Sequence, residues 1–391
     1  MREQIDFSLT PEFQAFMSGL AFLEQKACTI VHGVFIDPHP VLKTWQAASS
    51  QTGIDFPDDF DWLIDGGGSS GGLLLSALAM NSQAPMPFRP DSIPPGWGTF
   101  CERAGKRHSP FLVKIYVAPT TRNSSAQRRV VEDYARRQPF FVTVIDAEQP
   151  SFVAKVDGSV PLTATISGTL GGFLRDGTGI WGVTCGHVGQ LVNGQITLDD
   201  VNNQIINNAG IVHHSTFDPV PATCGAVCNQ YVQNGLEVDT ALIELSSPHT
   251  ATSSVKRVGT ITDIYDRTQL NSGNQLVMRG PRSGKHTYVI GGYGVTCKIA
   301  FAGLGDFCFS HLFEFSAPSH SAGAVGGRVA QAVAPRPLAG DSGSWLCFHL
   351  SGNDYAYFGN LIAVSGATGI ATFADSVTGW ASTLGMSLNV L

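Results

Sequence analysis

From Leu162 onward the chain is a succession of short apolar or alternating runs, recurring at roughly 8–15-residue intervals and punctuated by Gly, Asn and Asp. Leu170–Leu174, Ile180–Thr184, Thr240–Leu245, Tyr288–Ile290 and Leu361–Val364 are too short for helices and show no helical period. Such a pattern dictates an all-β barrel or sandwich of about 230 residues, and length does not separate the two. The 44 Gly and 21 Pro suit the many turns this needs. With 43% hydrophobic and 14% charged residues, there is ample core and global disorder is excluded. No internal repeat is visible at periods of about 20–50 residues, which excludes solenoids and propellers.

The 391 residues leave room for more than this β domain. Thr10 followed by Pro11 predicts a helix start, with the helix running to about Lys26. The Gly-rich stretch Gly66–Gly72 and the prolines between Pro85 and Pro95 read as connectors. Phe111–Val117 predicts a strand, Ser124–Arg137 a basic helix and Phe140–Asp146 a second strand. The expected organisation is an accessory region over 1–105, a small strand–helix–strand element over 106–160, and the β domain over 161–391.

Charge narrows the partners. A net charge of −7 argues against nucleic acid as the main partner. Residues 101–140 hold nine Lys/Arg against three acids, whereas 1–100 hold four against eleven and 141–391 eleven against seventeen. A basic segment between acidic flanks reads as intramolecular docking, by which residues 1–150 regulate the rest. No apolar run reaches the ~18 residues that span a bilayer. The opening Met1–Asp6 is acidic and the patch from Phe13 to Leu23 is broken by Gln14, Ser18 and Gly19. The expectation is therefore a cytoplasmic chain without export signal, its eight cysteines reduced.

The strongest chemical signal is Gly340-Asp341-Ser342-Gly343-Ser344. A nucleophilic serine needs a tight turn whose backbone N–H groups point at a developing oxyanion, and flanking glycines permit that approach. Upstream, Thr184-Cys185-Gly186-His187-Val188 ends an apolar strand, and Glu237-Val238-Asp239-Thr240-Ala241-Leu242-Ile243 begins another. A base, a carboxylate to orient it and a nucleophile are thus present in the order His187, Asp239, Ser342.

These three blocks resemble the signature blocks of trypsin-like serine proteases, over about Thr163 to Leu391. The chain looks closest to the intracellular branch that includes the plant Narrow-leaf proteases and bacterial relatives. That branch shares an entry strand like Gly168–Gly171, an Arg-Ser-Gly-Lys block like Arg282–Lys285 and a terminal Thr-Phe-Ala like Thr372–Ala374. The resemblance implies a chymotrypsin-like fold of two six-stranded β-barrels with the site between them. It implies His187 as general base, Asp239 as its orienter, Ser342 as nucleophile, and the Gly340 and Ser342 N–H groups as oxyanion hole. No cofactor or metal is implied.

The departures matter. Where secreted relatives usually place disulfide cysteines, this chain has Val188 and Leu338. No activation site precedes the barrel, so Asp341 cannot be satisfied by a newly cut N-terminus and needs another partner. The pocket base is expected at 334–338, including Arg336, and its walls at Ser365, Gly366 and Ala367. Neither stretch holds an acid, which predicts a preference for side chains other than Lys or Arg at the cleaved bond. Gly68-Ser69-Ser70-Gly71-Gly72 also matches a hydrolase elbow but reads better as a loop. Cys224 and Cys228 near His213-His214 read as thiols and a polar loop, not a zinc site. Two functions follow: a serine endopeptidase acting on protein or peptide, or a protease-fold binding module with an occluded cleft.

Overall fold

The computed structural model describes residues 10–26, 30–37, 101–106, 112–119, 124–147, 149, 151–152, 168–191, 195–199, 205–218, 220–221, 223, 237–246, 250–269, 274–301, 304–318 and 335–391. The protein is mainly β, with two sheets, as the recurrent short runs predict.

The first sheet has six strands: β5 (Gly172–Arg175), β6 (Ile180–Thr184), β7 (Gln195–Asp199), β8 (Ile205–Ser215), β9 (Ala241–Leu245) and β18 (Asn389–Val390). Its spatial order is β18-β5-β6-β9-β8-β7 and every neighbour is antiparallel. Leu174, Val183 and Leu242 alternate onto its buried face, the period-2 pattern of a half-buried strand.

The second sheet contains a closed ring. It is built from β12 (Gln275–Gly280), β13 (Gly284–Phe301), β14 (Gly305–Ser316), β15 (Trp345–Ser351), β16 (Asp354–Ser365) and β17 (Thr368–Phe373). β12 pairs β13, β13 pairs β14, β14 pairs β17, β17 pairs β16, β16 pairs β15, and β15 returns to β12. Closure removes the open edges of these strands. The short strands β10 (Ser254–Val255) and β11 (Gly259–Ile264) add to the outside of β16.

β13 is 18 residues long, and its distal half reaches beyond the ring. There it pairs β1 (Val31–Asp37), which pairs β2 (Leu112–Val117), which pairs β3 (Phe141–Asp146) in parallel. β2 and β3 are joined by a helix, Ser125–Arg136, as a parallel pair requires. The N-terminal helix Pro11–Lys26 packs on it, with the Tyr134 hydroxyl donating to the Phe16 carbonyl (2.8 Å). Strands from residues 31–146 therefore continue the sheet of the second barrel. One core holds Phe13, Val113 and Val131 together with Leu276, Phe313 and Phe358.

Two of the basic residues of 101–140 pair nearby: Arg128 with Glu132 and Asp146, and Arg136 with Asp133. A third pairs far away in sequence, and that pair is buried. Lys114 on β2 bonds Glu314 on β14, whose other oxygen accepts from the Tyr116 hydroxyl (2.5 Å). The expectation of eight reduced cysteines needs one correction, because Cys308 is disulfide-bonded, whereas Cys101, Cys185, Cys297 and Cys347 are free. Among the described residues, no helix is long and apolar enough to cross a membrane.

Candidate active site

Register brings the first two residues together. Thr184 at the end of β6 pairs Ala241 at the start of β9. His187 follows one strand end and Asp239 precedes the other, so both project from the same end of the sheet. His187 lies at the start of a short helix, Gly186–Leu191. Asp239 accepts the His187 backbone N–H at Oδ1 (3.0 Å) and faces ring Nδ1 at Oδ2 (2.5 Å). A carboxylate in this position fixes the proton on Nδ1 and leaves Nε2 as the basic nitrogen. Both side chains are fully buried.

Ser342 sits in the turn that leads into β15. Gly340 and Gly343 have φ of +96° and +94°, the left-handed region that glycine adopts without strain. A Cβ on Gly343 would also stand 2.1 Å from the Thr169 carbonyl oxygen. Thr169 grips the turn on both sides of Asp341: its N–H donates to Ser342 O (2.7 Å) and its hydroxyl to Gly340 O (3.0 Å). Among the described residues, neither the Gly340 nor the Ser342 N–H donates a hydrogen bond, and the Ser342 hydroxyl makes none. Two free donors on a rigid turn beside a serine suit a developing negative charge.

Asp341 is fully buried, and two of its three partners lie in the β12–β13 turn. Oδ1 accepts the Arg282 N–H (2.9 Å) and the Ser283 N–H (3.4 Å), while Oδ2 accepts the Leu338 N–H (2.9 Å). The carboxylate thus ties the nucleophile turn to a hairpin about sixty positions earlier. Bonds from backbone N–H to an ionised group are stronger than neutral ones.

Polar contacts also bridge the sheets behind the site. The Tyr357 hydroxyl donates to Asn360 Oδ1 (2.7 Å), Asn360 Nδ2 to Thr240 Oγ1 (3.1 Å), and Thr240 Oγ1 to Thr184 O (3.3 Å). Cys185 Sγ donates to Leu361 O (3.2 Å), which also accepts the Gly343 N–H (2.8 Å). Cys185, His187 and Asp239 offer ligand atoms within 4.8 Å of one another. Burial, then the Asp239 charge, push the Cys185 thiol pKa well up. A protonated thiol and a carboxylate already engaged by histidine make a poor metal set.

The imidazole is covered. Phe301, the last residue of β13, stacks on His187 with ring centroids 4.5 Å apart, and Phe217 meets it edge-on at 6.4 Å. Ser342 is only 4% exposed. Of the residues expected around the pocket, Arg336 is exposed on the surface, while Ser365, Gly366 and Ala367 form the β16–β17 turn. Ser365 and Gly366 line a cavity of about 370 Å3 together with His32, Tyr116, Asp146 and Thr368. Arg336 and Ala367 are outside that lining. The Ser70 elbow and the Cys224–Cys228 pair lie outside the described residues.

Reading residues by type missed Thr169, Asn360 and Phe301, since a threonine, an asparagine and a phenylalanine carry no spacing signal. Their roles arise only from cross-strand neighbours. Arg282 and Ser283 stood within a recognisable block, but the backbone N–H groups that do the work have no sequence signature.

No family model matches the chain, and no curated protein matches it. Among solved structures it is similar to Protease A of Thermobifida fusca, at 15% identity over 62% of this chain and 100% of that one, with a TM-score of 0.37. It is also similar to a glutamic-acid-specific serine protease, at 13% identity over 60% of this chain and 100% of that one, TM-score 0.38. A human pathogenic astrovirus serine protease gives 13% identity over 55% and 88%, TM-score 0.30. At these values the likeness bears on neither activity nor specificity, which rest on the geometry of the site.

Proposed function

We propose that the protein is a serine endopeptidase that cleaves protein or peptide substrates through an acyl-enzyme intermediate. The observation that carries this reading is the buried His187–Asp239 pair, together with a glycine-flanked serine turn that has two free N–H donors among the described residues. Ser342 Oγ attacks the scissile carbonyl carbon while His187 Nε2 takes its proton. Asp239 holds the Nδ1 proton and stabilises the imidazolium. The Gly340 and Ser342 N–H groups receive the oxyanion, and His187 then returns the proton to the leaving amine. Water, deprotonated by the same imidazole, releases the acyl group. The absence of an acid from 334–338 and 365–369 supports cleavage after residues other than Lys or Arg.

The buried imidazole beneath Phe301 supports a second reading, a protease-fold binding module whose cleft stays shut. A fluorophosphonate probe separates the two. The endopeptidase reading expects covalent labelling at Ser342 and none in Ser342→Ala or His187→Ala, since losing either group removes several orders of magnitude in rate. Labelling that persists in folded Ser342→Ala overturns it.

A further inference from the structure

A strand of two residues lies between β13 and β16. β4 (Ser151–Phe152) pairs β13 in parallel, Ser151 opposite Ala300 and Phe152 opposite Phe301. It also pairs β16 antiparallel, Ser151 opposite Val364. On their other edges, Ala300 pairs Asp306 and Val364 pairs Gly369. Among the described residues, β4 therefore fills a slot whose two walls have no other partner on that side. Two strand spacings of about 4.8 Å make the slot wide enough for one extended chain.

Residues along the slot's walls touch the reacting groups or their neighbours. Phe301, beside Phe152, is the residue stacked on His187. Along β16, three residues before Val364, Leu361 accepts the N–H of Gly343, the residue after Ser342. Because β4 is antiparallel to β16, its chain direction runs from the level of Val364 toward that of Leu361. An unpaired strand edge is the ordinary docking place for an extended peptide, whose main-chain bonds supply the affinity.

We propose that Ser151–Phe152 is the resident occupant of this slot, standing where an extended substrate chain would lie and restraining the site until an incoming peptide displaces it. The proposal rests on the endopeptidase reading for the identity of the incoming peptide. Ser151 and Phe152 lie just beyond β3, so the occupant is tethered to strands already built into the sheet. A tethered occupant acts at an effective concentration on the order of millimolar. Short peptides compete poorly against that, whereas a protein segment with flanking contacts competes well. Substrate choice is then exercised partly by displacement.

The test uses the full chain as wild type, Ser151→Pro and Phe152→Pro. Successive N–H groups of a strand face opposite edges, so the two prolines remove one donor toward each wall. Labelling of Ser342 by a fluorophosphonate should accelerate about tenfold in at least one variant, the size of one or two lost main-chain bonds. A synthetic peptide of residues 147–154 should slow labelling of that variant and leave wild type unchanged. Variants that melt like wild type, label at its rate and ignore the peptide overturn the proposal while leaving the endopeptidase reading intact. If no form labels, the endopeptidase reading fails, and calorimetry of the same peptide judges the slot: binding to a proline variant but not to wild type supports occupancy, and equal behaviour refutes it. Hydrogen exchange on the wild-type chain needs no variant. Occupancy requires protected amides at 151–152 and 361–364, and free exchange at 151–152 overturns it.

Discussion

Asp341→Asn is the substitution that most directly probes how the nucleophile turn is held. The side chain keeps its shape, but an amide has one oxygen where three backbone N–H groups converge on two. Oδ1 serves Arg282 and Ser283 and Oδ2 serves Leu338. Whichever way the amide turns, its NH2 faces at least one backbone N–H. A hydrogen bond to a charged group contributes roughly 1.5–3 kcal/mol, and an unmet buried donor costs about 1–3 kcal/mol. One lost bond plus one unmet donor gives a destabilisation of about 3–5 kcal/mol. At roughly 2–4 °C per kcal/mol, Tm should fall by about 6–20 °C. The Gly340 and Ser342 N–H groups flank this carboxylate in sequence, so Ser342 labelling should slow by about a hundredfold, comparable to losing one oxyanion donor. Calorimetry and probe labelling at a temperature where both proteins are folded make the comparison. Gly280→Ala should act in the same direction, because its Cβ would stand 2.3 Å from Asp341 Cγ. Wild-type Tm and wild-type labelling in Asp341→Asn would refute the reasoning.

Three further outcomes are expected. Burial, then the nearby Lys298 charge, lower the His32 pKa from 6.5 to about 4, so the folded state resists protonation there. Its stabilising contribution is complete above pH 6.5 and is lost as pH falls toward 4. The upper limit is about 3 kcal/mol, reduced to about 1–2 by screening at this half-buried position. Urea midpoints across that range should flatten in His32→Gln. Lys114→Met leaves Glu314 charged and buried and should destabilise by about 3–5 kcal/mol, whereas Lys114→Met with Glu314→Gln should recover most of it. Denaturant melts of the two variants check this. Cys185 and Cys347 are fully buried with thiol pKa values pushed up by desolvation, so native protein should leave both unalkylated, and non-reducing peptide maps should find Cys308 disulfide-linked.

Local patterns in this sequence were sufficient for the elements. The helix starting at Pro11, the strands at 112–117 and 141–146 and the β-rich part beyond 162 follow from period and punctuation, which report which faces are buried. The order of the His187, Asp239 and Ser342 blocks was equally legible, because each chemistry needs a particular residue in a particular local turn. Tertiary structure decided what those patterns cannot encode, namely which strand neighbours which. β1 meets β13 across more than 250 positions, so the N-terminal strands extend the second barrel through sheet bonds, a shared core and the buried Lys114–Glu314 pair. The partners of Asp341 are backbone N–H groups that every residue but proline carries, and Phe301 covers His187 only because a long hairpin carries it there. Short-range spacing fixes faces, while long-range pairing depends on the free energy of the whole packed arrangement.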